Sequence, residues 1–304
     1  MRKFVGLALA ILLGVLIWET QYPNLVASQE FFSQGHLGQA HAPMPGQIGS
    51  MHQGDRPIPS PMVAQAPRQE VQATPVQYGS IDGKSITGYI ARPAQATATL
   101  PGLIVIHEWW GLNDNIRKMT ERLAGEGYLA LAVDLYGGEV AETPEKAKEL
   151  VTAAQQNPEV LKNNLRQAYQ YLEREEKAPK IASIGWCFGG TWSLNTALLF
   201  PRQLDAAVIY YGGGIETSPE KLQDLEMPIL GIFGELDQNP SVETVRQFEA
   251  ALKGLGKPVE IKIYPNANHA FANPSGTRYN PEAAADAWTK TVAFLAKHLT
   301  INQN

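Results

Sequence analysis

A cysteine, an aspartate and a histidine follow one another along this chain, each placed just after an apolar run. Cys187 is the only cysteine. It stands in Gly185-Trp186-Cys187-Phe188-Gly189-Gly190, after the apolar run 181–185 and before a helical pattern over 188–200. A nucleophile in such a strand-to-helix turn sits on strained backbone, and the flanking glycines let neighbouring backbone approach without a Cβ clash. The following helix puts its positive end behind the sulfur and favours thiolate. The competing reading is a small cysteine buried in a tight turn.

A thiol nucleophile needs a base and a residue that orients the base. Asp237 lies in Gly234-Glu235-Leu236-Asp237, directly after the apolar run 229–233, with Glu235 as the rival acid. His269 lies in Asn268-His269-Ala270-Phe271, after a run ending near residue 264. Of the six histidines, His36, His41 and His52 fall in a Pro- and Gln-rich stretch, His107 falls in a strand, and His298 falls near the end of the last helix. His269 is therefore the expected base. The loop His107-Glu108-Trp109-Trp110-Gly111 ends the first core strand. In this architecture the backbone N–H groups of Trp109 and Phe188 are the expected oxyanion donors, and Glu108 is a carboxylate close to the thiol. Trp110, Tyr136, Trp186 and Phe271, with Trp109, suggest an aromatic substrate pocket; aromatic residues also dominate ordinary cores.

The elements that must position these residues read as alternating strands and helices. Two strand-like runs, 76–80 and 86–92, flank the turn signal Asp82-Gly83. Strands are expected over 103–107, 128–133, 181–185, 205–210, 229–233 and 259–264. Helices are expected over 113–127, 143–156, 158–176, 188–200 and 241–255, with a closing helix capped by Asn280 and opened by Pro281. The fold class is α/β: a mostly parallel central sheet flanked by helices on both faces, with the site at the strands' carboxyl ends.

The N-terminal quarter differs. Residues 4–18 are almost wholly apolar behind Met1-Arg2-Lys3. Residues 1–27 are expected to be a signal peptide or an N-terminal membrane anchor, which implies an exported protein, periplasmic or extracellular. Residues 28–75 read as a flexible spacer; their His and Met residues give a weak metal-binding signal without fixed ligand spacing. The folded domain is expected over 76–304. Hydrophobic residues make up 44% of the chain, enough for a sizeable core. A net charge of −5 argues against nucleic acid as a partner. With one cysteine no intramolecular disulfide can form.

Five motifs together resemble the dienelactone hydrolase family: His-Glu-Trp-Trp-Gly at 107–111, Asp-Leu-Tyr-Gly at 134–137, Gly-Trp-Cys-Phe-Gly-Gly at 185–190, Gly-Glu-Leu-Asp at 234–237 and Asn-His-Ala-Phe at 268–271. The resemblance implies an α/β-hydrolase fold and a carboxymethylenebutenolidase-like esterase or lactonase with a Cys187-His269-Asp237 triad. It implies a small ester or lactone as substrate, neither metal nor cofactor, and a thiol-gating role for Glu108. A monomer is the expected state. The family's substrate-binding arginines are replaced by Gly138 and Asn273, and its serine after the histidine by Ala270, so no bidentate carboxylate clamp is expected there. The readings outside ester hydrolysis are a non-catalytic binding module and a redox-sensing thiol protein.

Overall fold

The structure is a computed structural model that describes His52 and residues 65–300. The expected signal or anchor, its apolar run 4–18, His36 and His41 lie outside the described residues. Among those described, no helix is long and apolar enough to cross a membrane.

Eight strands form one sheet in the order β1-β2-β4-β3-β5-β6-β7-β8. Strands β1 (Val71–Ile81) and β2 (Lys84–Pro93) make an antiparallel hairpin. Its turn is Asp82-Gly83, both at positive φ, as a two-residue hairpin turn requires. β2 joins β4 (Leu129–Val133) antiparallel, and every pairing beyond that is parallel. The inner strands β3 (Gly102–Ile106), β4, β5 (Ile181–Trp186), β6 (Ala206–Tyr210) and β7 (Ile229–Gly234) are buried at every residue. That is what continuous apolar runs require when helices cover both faces. β8 (Val259–Tyr264) closes the far edge and is only partly buried, with Glu260 exposed.

Among the described residues, six α-helices lie between strands and a seventh follows β8. α1 (Asp114–Gly125), α2 (Pro144–Gln156), α6 (Val242–Gly254) and α7 (Pro281–Leu299) each start on a side-chain cap: Asn113, Thr143, Ser241 and Asn280. Each cap oxygen accepts a backbone N–H that the first turn leaves unpaired. α3 (Pro158–Gln170) stops six residues before its expected end and runs into a wider π turn at Tyr171–Glu175. α4 (Phe188–Leu199) follows β5 with one residue between them, and α5 (Pro219–Leu222) is a single turn that the sequence reading did not anticipate.

Two results differ from the expected spacer over 28–75. β1 starts at Val71, and His52 is buried. β1 escapes a pattern search because residues 72–75 of this edge strand are all exposed, so no in–out alternation marks them.

Candidate active site

Cys187 occupies the single residue between β5 and α4. Its backbone has φ 56° and ψ −117°, a left-handed conformation that costs a non-glycine residue free energy. The surrounding fold enforces it: the Cys187 N–H donates to the Tyr210 carbonyl on β6 at 3.0 Å. The flanking glycines are steric necessities. A Cβ on Gly185 would collide with the Gly189 backbone, and one on Gly189 would meet the Ile106 and His107 carbonyls, the latter at 2.6 Å. The sulfur therefore projects at the carboxyl ends of the strands, at the N-terminus of α4. The Phe188 N–H lies in the first turn of that helix, where no intrahelical acceptor exists.

His269 and Asp237 come from the loops after β8 and β7. His269 Nδ1 is 2.8 Å from Asp237 Oδ2, and both residues are buried. The carboxylate is itself fixed, since Oδ1 accepts the Asn239 N–H at 2.8 Å. Glu235, the rival acid, instead accepts the Asn266 N–H at 3.0 Å and is exposed. His269 Nε2 is buried and has no hydrogen-bond partner.

Electrostatics couple these groups. Burial works to raise the Cys187 thiol pKa, but the imidazoles of His269 and His52 outweigh it and bring the thiol down to about 5. Burial works to lower the His269 pKa, and the Asp237 carboxylate and the thiolate raise it to about 10. Between those limits the pair is a thiolate beside an imidazolium.

The His107 loop brings the other expected residues to the same end of the sheet. Leu135 N–H donates to His107 Nε2 at 3.1 Å, which leaves the ring proton on Nδ1, 2.6 Å from the Glu108 carbonyl. Burial lowers the His107 pKa, so this histidine acts as a neutral brace. Glu108 Oε2 accepts from Asn273 Nδ2 at 2.8 Å, both side chains being buried. Trp109 and Trp110 are buried and lie 4.7 Å apart, ring centre to ring centre. Tyr136 packs between His107 and Phe188. Trp186 packs on Tyr210, and Phe271 packs behind His269 against Tyr211 and Tyr264.

Two residues at the site were not singled out by sequence. Tyr211 follows β6 at φ 37°, and its ring lies 5.3 Å from that of His269. Its place at a strand's carboxyl end was a usable signal. His52 is the other. Its Nε2 is 3.4 Å from Cys187 Sγ, and its ring stacks on Trp109 at 4.1 Å and meets His269 edge-on at 5.1 Å. Its Pro-rich stretch carries three histidines and only a weak metal-binding signal, and no local pattern singles out His52 among them. Around the thiol, the buried polar atoms Trp109 Nε1, Tyr136 Oη, Tyr211 Oη and His269 Nε2 all lack a hydrogen-bond partner. Buried polar groups are normally paired, so this cluster suits a polar ligand.

A mostly parallel sheet with a strained cysteine turn after its fifth strand, and a buried His–Asp pair beside it, defines the α/β-hydrolase class. Comparison with known proteins narrows the class. The dienelactone hydrolase family model matches residues 86–299, and the chain belongs to that family. "Protein usf" of Aquifex pyrophilus is 34% identical over 226 residues, covering 72% of this chain and 96% of that protein. A Saccharolobus solfataricus protein, provisionally named a carboxymethylenebutenolidase, is 33% identical over 254 residues, covering 71% of this chain and 95% of its own. Among solved structures, a provisionally named dienelactone hydrolase from Klebsiella pneumoniae superposes with a TM-score of 0.66 at 32% identity, covering 75% of this chain and all of that one.

Proposed function

We propose that this protein hydrolyses a small carboxylic ester or lactone through a covalent acyl-cysteine intermediate. The observation that carries the reading is the buried His269, held at Nδ1 by Asp237 and turned toward a thiol at a strand-to-helix turn. The Cys187 thiolate attacks the acyl carbon. The oxyanion that forms is met by the Phe188 and Trp109 backbone N–H groups. The C–O bond then breaks, and the His269 imidazolium protonates the leaving alkoxide, which stays attached to the acyl group when the substrate is a lactone. Water, deprotonated by His269, attacks the thioester and expels the thiolate. Asp237 keeps the ring oriented and its positive charge stabilised.

Glu108 belongs to this reading as a gate. Held by Asn273, it leaves the sulfur to the imidazoles; swung toward the sulfur, it would oppose ionisation. With Gly138 and Asn273 where the family has cations, and with aromatic rings beside the thiol, a neutral acyl group suits the site better than an anionic one.

The test uses an activated aryl ester. Cys187→Ala is expected to reduce turnover by at least about a thousandfold, in the range seen when a triad nucleophile is removed. The unaltered protein is expected to gain one acyl group at Cys187 by intact-mass measurement. Undiminished hydrolysis by the folded variant would sink the proposal.

A further inference from the structure

Cys187 Sγ and one ring nitrogen each from His52 and His269 lie within 4.8 Å of one another, and all three residues are buried. We propose that they form a three-ligand site for a borderline-soft cation of the Zn2+ type, and that cation capture arrests the hydrolase.

Four observations support this. The donor set, one thiolate and two imidazoles, is what Zn2+ selects over Mg2+ or Ca2+. The Sγ–Nε2 distance to His52 is 3.4 Å, against about 3.6 Å between sulfur and nitrogen ligands on a tetrahedral zinc. His269 has one nitrogen on Asp237 and the other buried without a partner. A carboxylate on the far nitrogen of a metal-binding histidine fixes its ring and raises its basicity. Finally, the thiolate and the Asp237 carboxylate together balance a doubly charged cation. The donors, all within 4.8 Å of one another, need to close by no more than about 1.2–1.5 Å to reach tetrahedral spacing.

One contact opposes the cation. Arg278 Nη2 is 3.5 Å from His52 Nδ1. A guanidinium only donates, so without metal this contact places the His52 proton on Nε2, facing the sulfur. A cation taking Nε2 shifts that proton to Nδ1, and the Arg278 side chain must turn away.

The consequence for turnover is direct. The same cation holds the proposed nucleophile and the proposed base, so neither can act while it is bound. This arrest rests on the hydrolase reading; the binding does not.

The full-length chain, kept in a phosphine reductant, is titrated with Zn2+ against a chromophoric chelator and separately with Co2+. One Zn2+ per chain is expected, and the Co2+ complex is expected to show a thiolate-to-metal charge-transfer band. His52→Ala should weaken Zn2+ binding at least tenfold, while His52→Cys, which restores a donor, should recover most of the loss. Arg278→Ala should tighten binding. Aryl-ester hydrolysis by the unaltered protein should stop at one equivalent, and His52→Ala should need at least ten times more free Zn2+ to stop. Equal affinity in His52→Ala and the parent chain overturns the site, as does a Co2+ complex without the thiolate band. If no ester is turned over but the binding results hold, the hydrolase reading fails and the site stands.

Discussion

At Cys187 three influences meet, and their magnitudes decide its state. Burial disfavours the thiolate, two imidazoles favour it, and the imidazoles win. The sign of the pH dependence follows. A depressed thiol pKa means that thiolate is present above about 5 and is lost as pH falls through that value. Alkylation of Cys187 by iodoacetamide should therefore have its inflection near 5, well below the ordinary thiol value of about 9. An inflection left near the ordinary value would refute the thiolate–imidazolium pair. The His269 pKa is shifted the other way, upward, so the imidazolium keeps its proton until pH rises through about 10. Asn273 gives a second residue-scale test. Asn273→Ala removes the amide that holds Glu108 and should move the alkylation inflection upward as the carboxylate approaches the sulfur. An unchanged inflection would count against a gate. Cys187, Asp237 and His269 were all legible in the sequence because each follows an apolar strand and carries a distinctive residue type. Asn273 was legible only as the substitute for an expected arginine, and its hydrogen bond to Glu108 was not. That contact joins residues 165 positions apart, and local sequence does not encode it.

Among the elements, the β5–α4 junction has the narrowest tolerance. Gly189→Ala places a methyl group against two carbonyls of the β3 end, which cannot retreat without opening the sheet. The expected cost is about 2–3 kcal/mol of stability, with loss of ester turnover as the thiol is displaced. Calorimetry alongside an esterase assay checks both; an unchanged melting temperature would mean that the backbone yields there. The inner strands were read to within a residue or so because they are short apolar runs bounded by Gly, Pro and polar caps. β1 was placed five residues late because its early residues point into solvent on both faces. The π turn at Tyr171–Glu175 continues the apolar stripe of α3 through Leu172, so periodicity alone extends the helix through it.

For the molecule as a whole, stability has to come from the sheet and its covering helices. Most described ion pairs have at least one well-exposed partner and contribute little each. The lone cysteine is buried and free. Adding a phosphine reductant should therefore leave the melting temperature unchanged by calorimetry; a clear fall would reveal a disulfide between chains. The fold class was legible because alternation of strands and helices is a whole-chain pattern. The placement of His52 was not. It is a long-range contact made by a stretch whose composition predicts no order, 135 residues from the thiol it meets.

His52 meets the thiol from a position nineteen residues ahead of β1 in the chain. A free imidazole in solution would have to be present at about millimolar levels to match a side chain held on the same chain. Effective concentration, set against the intrinsic affinity, then fixes how often His52 occupies the site. A proteolytic cut between His52 and β1 would release the histidine into bulk solvent and dilute it to insignificance, although the cut would touch no residue of the sheet.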